Sequence, residues 1–542
     1  MRRSALLFTL VLCVAAAQAV EPPRFDEARI RATIRALSSD AFAGRGPGSA
    51  GEQRTIEYIA AQFRRSGLQP ANHGSFFQDV PMVQITADPD TALVVSGGET
   101  PLRFRYGSEI IVTTPRPLPS VSLTDSPLVF VGYGIVAPEY QWNDYAGVDV
   151  KGKTVVMLVN DPGYATEDPA LFHGKAMTYY GRWTYKYEEA TRQGAAGVLI
   201  VHDTGPAGYP WEVVRNSWSG PSDELPPGDA YQLQIHGWLS HEAAEKLFAA
   251  AGQSLATLSA AATSRDFRAI NLKLAASLTL HNEVHDVISH NVIAVARGAR
   301  HPKQVVVYSA HWDHFGTKHG PDGKPQIFHG AVDNGTGVAG LLELARLLSA
   351  KPAPARSVVF IATTSEEQGL LGSAYYASHP LFPLADTVAN LNMDVMDTYG
   401  ATHDLTVRGQ FMSTLDDNLR QAVQLLGLKL LPDADPAKGY YFRADHFEFA
   451  KVGVPALSID QGTDYVGHPD GWGMTQQQAY TDLRYHKPSD VYDATWNLAG
   501  MQQQLQVLYL TGRKLANGDE WPTWYSDSPF RAAREAQRPA MR

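Results

Sequence analysis

Four apolar runs constrain the fold more than any other feature of this sequence. Asn291–Ala296, Gln304–Ala310, Ser357–Thr363 and Val388–Met393 are nearly continuous in Val, Ile, Leu, Ala and Phe. A strand with one wet face alternates polar and apolar residues, whereas a strand covered on both faces does not. Between the second and third runs lies Gly337–Leu348, with Val338, Leu341, Leu342, Ala345 and Leu348 on one helical face. Strand and helix in alternation predict an α/β domain, a doubly wound and mostly parallel sheet with helices on both faces. Ligands of such sheets bind beyond the carboxyl ends of the strands.

Upstream, Ile30, Ile34 and Leu37 predict one amphipathic helix, and Ile56, Ile59 and Phe63 a second that ends at Gly67. The stretch Gly44-Arg-Gly-Pro-Gly-Ser-Ala-Gly51 separates them. From Ser126 to about Leu280 the pattern changes to short β runs, Leu128–Val131, Thr154–Val159 and Gly197–Val201, with a helix near Tyr185–Gln193. That segment reads as an inserted β-rich domain. The resulting division is a leader over 1–19, an N-terminal part of the α/β domain over 20–125, the insertion over 126–280, the main α/β domain over 281–518 and a tail over 519–542.

The leader has Arg2 and Arg3, an apolar stretch from Leu6 to Ala16 too short to span a bilayer, and Ala17-Gln18-Ala19 as a cleavage site. It predicts an exported chain, periplasmic or secreted, without stable membrane insertion after processing. Cys13 is the only cysteine, so disulfides and thiolate ligands are excluded from the processed chain. The net charge of −10 and the lack of a basic run argue against nucleic acid. Gly147-Val-Asp-Val-Lys-Gly-Lys-Thr154 matches the phosphate-binding loop pattern, but a strand-like run, Val155–Val159, follows where a helix is required. No nucleotide is expected.

Ligand-type residues collect at the ends of the apolar runs. In order they are His311 in Ala-His-Trp-Asp-His, Asp333 in Gly-Ala-Val-Asp-Asn-Gly, Glu366 and Glu367 side by side, Asp394 in Asn-Met-Asp, and His486 in Tyr-His-Lys-Pro-Ser-Asp. Two imidazoles and three carboxylates suffice for two zinc ions and leave one glutamate over. Metal-assisted hydrolysis needs that inventory.

The order His-x-Asp, Gly-Ala-x-Asp-Asn-x-x-Gly, Glu-Glu-x-Gly-Leu-x-Gly-Ser, Asn-x-Asp and Tyr-His-x-x-x-Asp resembles the co-catalytic di-zinc exopeptidases, which include secreted bacterial leucyl aminopeptidases and glutamate carboxypeptidase. The insertion, with Asp149-Val-Lys-Gly-Lys-Thr-Val-Val156 and Gln193-Gly-Ala-Ala-Gly-Val198, resembles the protease-associated domain of several members. The resemblance implies two Zn2+ per chain, His311 and Asp394 on one, Glu367 and His486 on the other, and Asp333 on both. It also implies Glu366 as general base, Asp313 as the carboxylate that orients His311, Asp490 in the same role for His486, and Tyr485 as an oxyanion donor. A cis peptide between Asp333 and Asn334 is implied too. Arg443 in Arg-Ala-Asp-His is similar to a family Arg-Ser-Asp-His motif near the substrate, with Ala444 departing from it.

The expected activity is therefore hydrolysis of peptides, as an aminopeptidase. Carboxypeptidase, dipeptidase, glutaminyl cyclase and a non-catalytic receptor-like relative are the alternatives. The insertion carries none of the ligand set and is expected to govern access rather than chemistry.

Overall fold

The structure is a computed structural model that describes residues 23–226, 231–320, 323–408, 412–433, 435–526 and 528–538. The expected leader over 1–19 lies outside the described residues.

The main sheet runs Phe77–Ala87, Ile270–Ala296, Arg356–Thr363, His301–His311, Thr387–Asn392, Ala456–Asp460, Asp404–Arg408 and Lys429–Pro432. Its centre, from Arg356–Thr363 to Ala456–Asp460, is parallel. Antiparallel neighbours flank it on both sides. Arg356–Thr363 and Thr387–Asn392 are buried at every residue, in keeping with the apolar residues at their centres.

Helices cover both faces. Glu27–Leu37, capped by the Asp26 carboxylate accepting from Arg29 N–H, buries Ile30, Ile34 and Leu37. Ala50–Arg65 buries Ile56, Ile59 and Phe63. Both pack against Gly335–Leu348, which is buried on nearly every side and not on the one predicted stripe alone. Ala499–Asn517 covers the same sheet, with Tyr308 O–H donating to Leu508 O at 2.7 Å. The described part of the tail, 519–526 and 528–538, is packed down: Trp524 is buried, its Nε1–H donates to Gly453 O, and Arg534 donates to Leu384 O and Thr387 O.

A second group of strands builds the β-rich layer. Ser120–Phe130, Thr154–Leu158, Gly197–Val201 and Ile235–Leu239 are successively parallel, and Ile110–Thr113 closes antiparallel on the last. A strand does follow the glycine-lysine loop at 147–154.

Two features depart from the sequence reading. The layer takes strands from Ala92–Ser96 onward, ahead of the expected start at 126. The boundary set at 280 falls inside one strand, Ile270–Ala296. Its first half pairs with Ser120–Phe130, and its second with Phe77–Ala87 and then Arg356–Thr363. The strand Pro221–Glu224 also returns to pair with Phe77–Ala87. Among the described residues no helix is long and apolar enough to cross a membrane.

Candidate metal centre

The parallel register delivers the site. His311 ends its strand directly beside Thr363, and Asp394 lies just beyond Thr387–Asn392. Glu366 and Glu367 follow Arg356–Thr363 in the next turn, and Asp333 precedes the helix Gly335–Leu348. His486 arrives from the loop after Trp472–Leu483. Ser365, Val395 and His486 itself have φ of 51°, 57° and 56°, left-handed values that non-glycine residues adopt mainly where surroundings enforce them. The Asp333–Asn334 peptide is cis.

The geometry brings all five expected ligands together. His311 Nε2 lies 3.3 Å from Asp333 Oδ1 and 3.2 Å from Asp394 Oδ1. His486 Nε2 lies 3.4 Å from Asp333 Oδ2 and 3.1 Å from Glu367 Oε2. Asp333 therefore offers one oxygen to each imidazole. Glu366 stands apart, its Oε2 4.0 Å from His311 Nε2.

Electrostatics sharpen the pattern. Burial works against an imidazolium at His311, yet Glu366 and the carboxylates of Asp313, Asp333 and Asp394 push it well above the usual histidine range. His486, also buried, is raised to about 9, chiefly by Glu367 and Asp333. Asp333 is held well below the carboxylate range by both imidazoles despite its burial. Burial and Asp333 push Glu367 up, but His486 and His314 outweigh them and bring it down to about 2. Burial keeps Glu366 well above the carboxylate range, with Asp394 and Glu367 adding to it against the pull of His311.

These residues fit metal coordination: among the described residues, His311, Asp333 and Asp394 bring their ligand atoms within reach of one cation. Donors at 2.0–2.2 Å in a tetrahedron are separated by about 3.4 Å. The observed 3.1–3.4 Å separations match that edge.

The supporting residues are partly those expected. Asp313 lies with Oδ1 3.6 Å from His311 Nδ1, and its carboxylate accepts from the backbone N–H of Glu366 and Glu367. It thus holds both glutamates as well as the imidazole. Asp490 does not orient His486; it accepts from the backbone N–H of Val332 and Asp333, with 3.0 Å to the latter. The partner of His486 Nδ1 is Ser217 Oγ, 3.2 Å away, from the β-rich layer. The layer contributes no member of the ligand set but does supply this contact to one of them.

Sequence reasoning passed over three further residues. His314 Nδ1 meets Glu367 Oε1, and His314, Asp333 and Glu367 form a second metal-compatible group beside His311, Asp333 and Asp394. Arg45, fully buried, donates to Trp312 O, Leu37 O, His329 O and Gly330 O, tying together the loops that carry His311 and Asp333. Its glycine-rich surroundings were the available signal: a Cβ on Gly44, at φ +71°, would meet Gly316 O at 2.3 Å. The third is Arg182, again from the β-rich layer.

The carboxylates open into a cavity of about 170 Å³, lined from both layers. Tyr485 stacks on His486 with ring centroids 3.8 Å apart and lines this cavity, as does Arg443. Arg443 donates to Ala207 O and lies over the rings of Tyr209 and Tyr440. Arg182 sits near it, its Nε buried without a partner, and burial together with Arg443 lowers it to about 9. Among the described residues neither arginine has a carboxylate within ion-pair distance.

Residues 291–510 match peptidase family M28. Aminopeptidase NAALADL1 of Mus musculus is 33% identical over 237 residues, 40% of this chain and 29% of that protein. Aminopeptidase YwaD of Bacillus subtilis (strain 168) is 27% identical over 213 residues, 37% of this chain and 39% of that protein. The chain thus spans well under half the length of these curated relatives. The aminopeptidase from Aneurinibacillus sp. strain AM-1 has a similar fold, with a TM-score of 0.54 at 22% identity over 92% of this chain and 96% of that one. All five ligand candidates and Glu366 lie within the matched residues 291–510, whereas Ser217 and Arg182 lie outside them.

Proposed function

We propose that this chain is an exported, zinc-dependent exopeptidase, an aminopeptidase that uses two Zn2+ and Glu366 as general base. The observation that carries the reading is Asp333, with one carboxylate oxygen facing each imidazole while Glu366 stands unshared beside them. His311 and Asp394 would hold one ion, Glu367 and His486 the other, and Asp333 both. When bound, the ions supply Lewis acidity toward water and the scissile carbonyl. Glu366, buried and raised, is placed to accept a proton from water and return it to the leaving amine, a role contributing about 10²–10⁴-fold. Tyr485 would donate its hydroxyl to the developing oxyanion. The β-rich layer, read as a protease-associated domain, would narrow the cavity around a peptide end.

The test is hydrolysis of aminoacyl reporter peptides before and after chelation, with metal content measured in parallel. Turnover that tracks zinc restoration supports the reading; chelator-insensitive turnover overturns it.

A second reading is favoured by Arg182 and Arg443. Two neighbouring arginines without carboxylate partners suit a substrate carboxylate, as in a dipeptidase or carboxypeptidase. Preference for a dipeptide over its C-terminal amide, lost in Arg182→Met, would select it.

A further inference from the structure

A second, smaller pocket opens beside the catalytic cavity. Trp183 and Trp218 line both, and Gln368, next to Glu367, lines the smaller one. Its walls are aromatic. Trp183 and Trp218 meet edge to face at 5.2 Å, Trp218 stacks on Trp238 at 5.8 Å, and Tyr187 stacks on His236 at 4.4 Å.

One carboxylate, Glu224, lines this pocket. Ser222 and Glu224 face it from alternate positions of Pro221–Glu224, while Asp223 points the other way and accepts from Gln84 Nε2 at 3.0 Å. No lysine or arginine is among the lining residues, and the nearest basic atom, His236 Nε2, is 3.9 Å from Glu224 Oε1. Burial pulls His236 down to about 4, so it gives Glu224 no compensating charge at neutral pH, and burial with Asp223 pushes Glu224 up to about 8, from which an entering cation would bring it back toward the ionised form. An acidic group walled by ring faces and short of a cation is a cation receptor. The cavity, about 30 Å³, has room for one ammonium-sized group and not for a whole side chain.

We propose that this pocket is a specificity site that takes the ammonium tip of a lysine-type substrate side chain, with Glu224 as its counter-ion and the Trp183, Trp218 and Tyr187 rings as its cage. The inference rests on the aminopeptidase reading for its substrate but not for its chemistry. The stem of the side chain would lie along Trp183 and Trp218, where the two cavities share walls, and Ser222 and Gln368 would supply neutral acceptors.

Lysyl and norleucyl reporter peptides separate charge from length. The expected kcat/KM ratio of lysyl to norleucyl is about tenfold or more, and Glu224→Gln lowers that ratio by about tenfold. A ratio near one in the wild type, or an unchanged ratio in Glu224→Gln, overturns the proposal while leaving the aminopeptidase reading standing. If no reporter is cleaved, that reading fails, and n-butylammonium decides the pocket separately. Saturable quenching of tryptophan fluorescence, at least tenfold weaker in Glu224→Gln, supports the cation site. Quenching that does not saturate, or that survives Glu224→Gln, removes it.

Discussion

Ser217 Oγ lies 3.2 Å from His486 Nδ1, so the β-rich layer holds the imidazole whose other nitrogen faces Asp333 and Glu367. Groups in this position set the tautomer and ring orientation of a metal-binding histidine, and losing one typically weakens metal binding about 10–100-fold. Ser217→Ala is expected to lower zinc affinity by that order in a chelator competition, with the fold unchanged by circular dichroism. Unaltered affinity would mean that the contact is packing only.

Glu366 and Glu367 are neighbours with different surroundings. Glu367 touches His486 and His314, whereas Glu366 comes no closer than 4.0 Å to His311. Glu366→Gln should abolish turnover with metal content near two zinc ions per chain, and Glu367→Gln should lose metal. Elemental analysis showing the reverse would exchange the two roles.

Arg45 donates to five backbone carbonyls from a fully buried position. Arg45→Met keeps the apolar stem and leaves those acceptors unpaired. The expected loss is at least about 3 kcal/mol in denaturant unfolding. A loss under about 1 kcal/mol would show that water replaces the guanidinium.

His446 gives a pH dependence away from the ligand set. Burial first, then Arg408, pulls its imidazole down to about 3. The unfolded chain titrates near pH 6.5, so between pH 6.5 and 3 the unfolded state binds more protons. Stability is then full above pH 6.5 and falls with acid by about 1.4 kcal/mol per pH unit from this group alone. His446→Phe retains the edge contact with Tyr441 and should flatten that part of the acid limb. An equally steep limb in the variant would assign the slope to other groups.

Tyr485→Phe tests the hydroxyl proposed for the oxyanion. The ring keeps its stack on His486, so kcat should fall about 10²-fold with little change in KM. An unchanged kcat would reduce Tyr485 to packing.

The parallel centre of the sheet was legible because burial on both faces favours a run of apolar residues, as in Val358–Ala362 of the strand Arg356–Thr363. The ligand candidates were legible for a related reason: His311, Glu366, Glu367 and Asp394 sit where such a run stops, and the order of the whole set carries a recognisable pattern. What stayed hidden depends on contacts between distant segments. Ser217 and His486 are 269 positions apart, and nothing near either residue signals the other. Arg182 follows an ordinary Tyr-Tyr-Gly turn. The strand Ile270–Ala296 runs past the expected boundary at 280 without a signal: residues 281–288 are exposed or half-exposed, and the polar–apolar alternation that marks a strand lapses there.

That uninterrupted strand has a mechanical consequence. Two bodies joined by a loose linker can gape, but here the spine continues from one into the other, and widening the mouth means bending a hydrogen-bonded ladder. The entrance should keep a nearly constant width during turnover. Such an aperture sorts by cross-section: a frayed peptide end threads through, and a folded protein surface stays outside whatever its sequence.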